Sequence, residues 1–137
     1  MSTTRIAFDT SVAIRFLTAE PFSQFTIATA YFNELLKNGE TAHVSDLVLS
    51  EAYFALQRFY GMSKATSLAA LADFASIPGI TLSPHALAVL TLPGLATAKP
   101  GFVDRLVHGA SQSAGHTLIT FEKAAKKLPG TVVLYSE

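Results

Sequence analysis

The chain contains no cysteine, and charged residues make up only 15% of its 137 positions. The absence of cysteine excludes disulfides and thiolate zinc sites, and it fits a reducing compartment. No apolar run reaches the roughly 18 residues that a membrane span needs. The first ten residues, MSTTRIAFDT, lack the apolar core of a secretory signal. We therefore expect a cytoplasmic protein.

The chain also has no excess of either charge, because its ten acidic residues balance its ten basic residues. A net charge of zero argues against broad electrostatic wrapping of nucleic acid. A net charge of zero still allows a local basic surface, because half of the basic residues fall late in the chain: Lys99, Arg105, Lys123, Lys126 and Lys127. Half of all residues are hydrophobic. This share argues against disorder and predicts that a partner or a second copy covers some apolar surface.

Short apolar runs alternate with helical patterns along the whole chain. The predicted strands are 5–8, 41–45, 80–83, 117–120 and 131–135. The predicted helices are 11–19, 21–37, 46–60, 63–76, a short one from Pro84, 102–114 and 122–127. Such alternation is typical of an α/β fold with a parallel sheet between helices. The chain is thus predicted to form a single domain over 1–137, with a mostly parallel central sheet of about five strands flanked by helices.

Four acids stand where they could meet at one edge of that sheet. Asp9 and Glu122 directly follow predicted strands, whereas Glu51 and Asp104 lie on predicted helices. Ligands of open α/β sheets bind outside the carboxyl ends of the strands, and clustered carboxylates suit a hard cation such as Mg²⁺. Each acid also has an ordinary explanation: a helix cap, a solvated helix face, a favourable dipole position, or an ion pair of Glu122 with Lys126.

Histidines give little support for a different chemistry. His43, His85, His108 and His116 show no HxH or HExxH spacing, so zinc is not predicted. His108 follows Asp104 by four residues, which predicts either a plain helical hydrogen bond or a supporting contact to the acid or to RNA. Neither GxSxG nor GxxxxGK[ST] occurs, which removes the common serine-hydrolase and P-loop interpretations.

Three segments together resemble the PIN-domain family, and more closely its VapC-type toxin ribonucleases of type II toxin–antitoxin systems. These segments are IAFDTSVAIRFL, SDLVLSEAYFAL and PGFVDRLVHGASQSAGHTLITF, followed by a fourth acid just beyond the last strand. The likeness covers residues 5–134. Each motif is short, and the specificity lies in their order, spacing and secondary-structure setting.

The resemblance implies an endoribonuclease that uses Mg²⁺ or Mn²⁺ to hydrolyse RNA phosphodiesters. It implies Asp9, Glu51 and Asp104 as catalytic metal ligands, with Glu122 in the fourth position. Ser11 falls where these proteins often carry a small polar residue that hydrogen-bonds the first aspartate. The chain differs from the family at Glu122, where aspartate is common, and at Gly101, where an additional acid often stands.

The resemblance also implies partners: an RNA substrate, a VapB-like antitoxin and a second copy in a homodimer. Arg15, Arg105 and Lys123 are candidates for contacting the RNA backbone, and each is also interpretable as a plain surface charge. Apolar residues crowd 47–60 and 68–77, including Tyr53, Phe54, Phe59, Tyr60 and Leu71; most are expected in the core and some at a partner. A PIN nuclease that processes RNA without an antitoxin, and a degenerate PIN fold that binds without cleaving, are the alternatives.

Overall fold

The computed structural model describes residues 5–135. The chain divides into two compact units, residues 1–83 and residues 84–137. The single domain expected over residues 1–137 stays a prediction. No helix within the described residues is long and apolar enough to cross a membrane.

The first unit alternates strands and helices in the way that the sequence predicts. Its elements in chain order are β1 (Ile6–Ala7), α1 (Thr10–Thr18), α2 (Phe22–Lys37), β2 (Ala42–His43), α3 (Asp46–Phe59), α4 (Lys64–Ala75) and β3 (Ile80–Thr81). Side-chain caps begin three of the four helices: Asp9 for α1, Ser45 for α3 and Ser63 for α4. Each cap accepts a hydrogen bond from a backbone amide of the first turn that has no partner inside the helix.

The three strands of the first unit form a parallel sheet in the order β1-β2-β3. Ile6 pairs with Ala42 and Ala42 pairs with Ile80. The amide of Phe8 donates to the carbonyl of His43 at 2.9 Å, which extends the β1–β2 ladder to the residue before Asp9. Because parallel strands end at one edge of the sheet, Asp9 lies at the carboxyl edge where ligands of such sheets bind.

Aromatic packing anchors α1 against the rest of this unit. The Phe16 ring lies 5.8 Å from Phe8, 5.6 Å from Phe32 and 6.0 Å from Phe74, measured between ring centroids. Separations of this size are the favourable range for aromatic pairs. Leu49 and Leu56 of α3 are fully buried. These contacts hold α1 and α3 in fixed positions, which sets the direction of the side chains at the sheet edge.

The second unit is smaller and has its own core. It contains α5 (Pro84–Leu90), a 3-10 turn at Leu95–Thr97, α6 (Phe102–Ser113), β4 (Leu118–Thr120), a 3-10 helix at Lys123–Lys127 and β5 (Thr131–Val133). The helices α5 and α6 pack together and bury Val89, Phe102 and Leu106. β4 and β5 pair in parallel, with Ile119 opposite Val132.

The α/β class, the strands and the parallel pairing are therefore as predicted, but the sheet is not. The five strands of residues 5–135 form a three-stranded and a two-stranded sheet rather than one central sheet of five. Hydrophobic patterning indicates where a strand lies and does not determine which strand it pairs with. The expectation that most of the apolar residues named in 47–60 and 68–77 lie in the core holds only in part: Tyr53 and Leu71 are buried, whereas Phe54 and Phe59 are 55% and 75% exposed.

Candidate functional site

Asp9 lies two residues beyond β1 and begins α1. Its Oδ1 accepts hydrogen bonds from the Ser11 hydroxyl at 2.7 Å and from the Val12 amide at 3.1 Å. The hydroxyl of Ser11 and then the amide of Val12 hold the pKa of Asp9 below its ordinary value of 3.8, because both donors stabilise the charged form. Asp9 is solvent-exposed. The first unit thus presents an ionised carboxylate at the carboxyl edge of its sheet.

Glu51 comes to the same place from α3. Its Oε1 accepts a 2.6 Å hydrogen bond from the hydroxyl of Thr10, the residue next to Asp9. Thr10 is the first residue of α1, and α1 packs against α3. The side chain of Glu51 is thereby directed at the start of α1 while it remains exposed. Within the first unit, Glu51 thus contacts the residue that directly follows Asp9 in the chain.

Asp104 and Glu122 belong to the second unit. Asp104 is exposed in the first turn of α6, where the helix dipole favours a negative charge. Glu122 follows β4 and caps the 3-10 helix at Lys123–Lys127, accepting from the Ala124 amide at 3.1 Å. Residues 5–135 contain no Glu122–Lys126 ion pair of the kind expected for a plain helix, whereas Lys37 and Glu34 on α2 do form an ion pair. Glu122 is therefore a helix-start residue.

The donor set of the first unit suits a hard cation. Within residues 5–135 no group of three or more His, Cys, Asp or Glu side chains is arranged to hold a metal. Magnesium does not require such a cage, because it usually keeps several waters and binds through one or two carboxylates plus substrate phosphates. Asp9 and Glu51 are two exposed carboxylates fixed by hydrogen bonds, and Oδ2 of Asp9 accepts none from the described residues.

The three candidate RNA contacts differ in how firmly they are held. Arg15 donates from Nε to the Ser11 carbonyl at 3.1 Å and from Nη1 to Gln24 at 3.0 Å. Arg105 donates from Nε to the Pro100 carbonyl at 2.7 Å. Lys123 is exposed at the start of its 3-10 helix. The two arginines are thus oriented, whereas the Lys123 side chain forms no hydrogen bond or ion pair within the described residues.

His108 does not form the helical hydrogen bond to Asp104 that its spacing predicts. Its Nε2 lies 2.7 Å from the carbonyl oxygen of Pro129. A carbonyl oxygen only accepts, so the proton is on Nε2 and the ring donates. This contact ties α6 to the segment before β5. A supporting role of His108 toward Asp104 or RNA stays a prediction.

Thr10 is the functional candidate that sequence reasoning missed. Its hydroxyl joins the start of α1 to an acid 41 residues further along the chain. The only signal available in the sequence is a threonine directly after Asp9, which is also an ordinary residue for a helix start. Its link to Glu51 requires the packing of α1 on α3.

Comparison with known proteins gives no match: no family model, no curated protein and no solved structure matches the chain. The functional proposal therefore rests on the residues themselves and on the motifs of the sequence.

Proposed function

We propose that the chain is a Mg²⁺-dependent endoribonuclease, a VapC-like toxin with a PIN-like domain, which hydrolyses RNA phosphodiester bonds. The observation that supports this most is the arrangement of Asp9, Thr10 and Glu51 at the carboxyl edge of the first sheet. One carboxylate is kept ionised and the other is directed to the same place by a hydroxyl. Two exposed acids at such an edge suit a cation that also binds substrate phosphate.

Asp9 and Glu51 are the proposed metal ligands of the first unit. For Asp104 and Glu122, in the second unit, a ligand role is what the resemblance implies. A Mg²⁺ or Mn²⁺ ion held by these carboxylates would activate a water molecule and polarise the phosphodiester. The Ser11 hydroxyl and the Val12 amide stabilise the charged form of Asp9 and hold its Oδ1 in place. Thr10 limits the rotation of Glu51, which reduces the entropy lost when the site orders.

The proposed RNA contacts are Arg15, Arg105 and Lys123, through phosphate oxygens. Phosphate contacts of this kind position a nucleic acid without reading its sequence. The two arginines already have their Nε groups fixed by backbone carbonyls, which leaves other guanidinium donors for a phosphate. The proposed compartment is the cytoplasm.

A cavity of about 400 Å³ between α1 and α2 supports an antitoxin as the protein partner. It includes Ser11 and Arg15 and has an otherwise largely apolar lining with the exposed residues Ile27 and Tyr31. An amphipathic helix from a VapB-like antitoxin would lay its apolar face in such a groove. A small antitoxin gene should then lie directly upstream; its absence would favour a PIN nuclease of RNA processing.

A homodimer is the proposed assembly. One face of the two-stranded sheet exposes Ile119, Val132 and Leu134 by 54%, 46% and 43%. Two strands alone are only marginally stable in water, so a covering surface would stabilise them. A second copy of the chain supplies that surface in this proposal.

The test of the enzyme proposal is RNA cleavage with MgCl₂ against cleavage with EDTA. We expect cleavage by the wild-type chain only with the metal, and a loss of more than about 100-fold for Glu51→Gln. Glu40→Gln is the matched control, because Glu40 is an exposed glutamate of the same unit outside the site. Equal cleavage in EDTA would contradict the metal requirement. A wild-type chain that binds RNA but never cleaves it would favour the degenerate PIN alternative.

A further inference from the structure

A second cavity, of about 270 Å³, lies within the second unit between α5 and α6. Its lining combines aliphatic side chains with two histidine rings and one arginine. The principal lining residues are His85, Val89, Leu92, Arg105, His108 and Leu128. No acidic side chain lines it. The cavity lining therefore offers apolar surface, flat rings and one positive charge.

Hydrogen bonds hold each polar side chain of this cavity in place. Arg105 donates from Nε to the Pro100 carbonyl at 2.7 Å, which leaves its two terminal NH₂ groups for a ligand. His108 donates from Nε2 to the Pro129 carbonyl at 2.7 Å. Nδ1 of His85 lies 3.2 Å from the Ser113 hydroxyl. Side chains fixed in this way lose little conformational entropy when a ligand binds.

Gly109 determines where the His85 ring lies. A Cβ atom built at position 109 would stand 2.8 Å from Cβ of His85 and 2.9 Å from its Cδ2. Atoms cannot approach so closely, so any side chain at 109 would push His85 away from α6. The absence of a side chain lets the ring pack directly on the helix and form part of the cavity lining.

We propose that this cavity holds one nucleotide of single-stranded RNA, with the base among the aliphatic and histidine side chains and the adjacent phosphate on Arg105. Unpaired bases stack on histidine rings and arginine planes, and arginine binds phosphate oxygens through paired donors. The volume is just below the range of about 300–1,000 Å³ for small-molecule pockets, which suits a single base. The inference rests on the proposed function for the choice of RNA as ligand.

The position of the cavity fits a substrate contact. His108 follows Asp104 by one helical turn on α6, so the cavity begins next to a proposed metal ligand. A nucleotide held there would fix the register of the RNA relative to Asp104. The site would then select for an unpaired nucleotide near the cleaved bond.

The test is the fluorescence anisotropy of a labelled, single-stranded RNA of mixed sequence, titrated with the full chain in EDTA. Without metal, binding is measured separately from cleavage. The variants are Arg105→Gln, which removes the phosphate contact, and Ala88→Leu, which enlarges an exposed residue that lines the cavity. Arg58→Gln is the matched control, an exposed arginine of α3.

We expect Arg105→Gln and Ala88→Leu each to raise the dissociation constant at least about 10-fold, and Arg58→Gln to leave it within about twofold. Circular dichroism checks that the variants are folded. Dissociation constants of both cavity variants within twofold of the wild-type value would overturn the inference. The same result is expected if the cavity binds a protein segment instead of RNA. Equal losses for Arg58 and Arg105 would overturn it too. The predicted binding pattern without any Mg²⁺-dependent cleavage would leave the inference standing and contradict only the proposed enzyme.

Discussion

Asp9 uses one carboxylate oxygen to begin a helix, and its other oxygen accepts no hydrogen bond from residues 5–135. A helix cap and a metal ligand are therefore compatible roles for this side chain. The hydroxyl of Ser11 and the amide of Val12 stabilise the charged carboxylate that both roles need. At the scale of the residue, the ordinary interpretation of Asp9 and the functional one do not compete.

The Thr10 hydroxyl is predicted to matter for catalysis more than for stability. Thr10→Val keeps the shape of the side chain and removes the donor to Glu51. We expect Mg²⁺-dependent cleavage to fall about 10- to 100-fold, as is usual when a ligand loses a supporting hydrogen bond. The free energy of unfolding should change by about 1 kcal/mol or less, since the bond is exposed. Kinetics and urea unfolding measure the two effects.

Thr26→Val is the matched control for this substitution. The Thr26 hydroxyl on α2 donates to the carbonyl of Phe22 and not to an acid. Its cleavage rate should remain within about twofold of the wild type. A Thr10→Val variant as active as this control would show that Glu51 does not need the hydroxyl.

The lowered pKa of Asp9 predicts a pH dependence of stability. Because its pKa in the folded chain lies below the ordinary value of 3.8, ionised Asp9 stabilises the folded state. This contribution is fully present above about pH 4 and is lost as the pH falls through the folded-state pKa. Asp9→Asn keeps a helix-capping side chain that does not titrate.

Thermal unfolding in acid should therefore show different melting temperatures for the wild type and Asp9→Asn. We expect the melting temperature of the wild type to fall further than that of Asp9→Asn between about pH 6 and pH 2.5. Other carboxyl groups titrate equally in both proteins and cancel in the comparison. Parallel pH curves would contradict the stabilised carboxylate.

At the scale of the element, Glu122 is a cap of the 3-10 helix at Lys123–Lys127. The sequence left three roles open for it, namely a helix start, an ion pair or a metal ligand. The structure shows the first, and the proposed site assigns it the third as well. Its side chain is one methylene longer than that of Asp9 and one of its oxygens caps the 3-10 helix, so we rank it as the weakest of the four proposed ligands.

Glu122→Gln is predicted to have a graded effect. The glutamine carbonyl can still accept from the Ala124 amide, so the 3-10 helix should persist while the negative charge is lost. We expect cleavage to fall about 10-fold, less than for Asp9→Asn or Asp104→Asn. Single-turnover cleavage rates of the three variants show which substitution reduces cleavage most. A loss equal to that of the other two would make Glu122 a full ligand.

Helix starts were predictable from sequence, and strand pairing was not. Asp9 and Ser63 are residue types that cap helices by a local hydrogen bond, so a few neighbouring letters determine them. The strands are short, two residues each for β1, β2 and β3. Their pairing depends on contacts between distant segments, which is why one sheet of five was expected and two sheets are present.

Across the whole molecule, the four acids are predicted as site residues from their order along the chain. Sequence position could place Asp9 and Glu122 after strands, and Glu51 and Asp104 on helices, because local patterning fixes those elements. It could not supply Thr10 as the link to Glu51, since that contact spans 41 residues and depends on how α1 packs against α3. The cavity that contains His85 likewise depends on the close approach of two helices.

The rate of Mg²⁺-dependent RNA cleavage by Asp9→Asn and Asp104→Asn, one acid from each unit, tests the proposed nuclease. Asp73→Asn is the matched control, an exposed aspartate on α4 outside the proposed site. We predict a loss of more than about 100-fold for both site variants, with the fold intact by circular dichroism, and a control within about twofold of the wild type. Undiminished cleavage by both site variants would contradict the account.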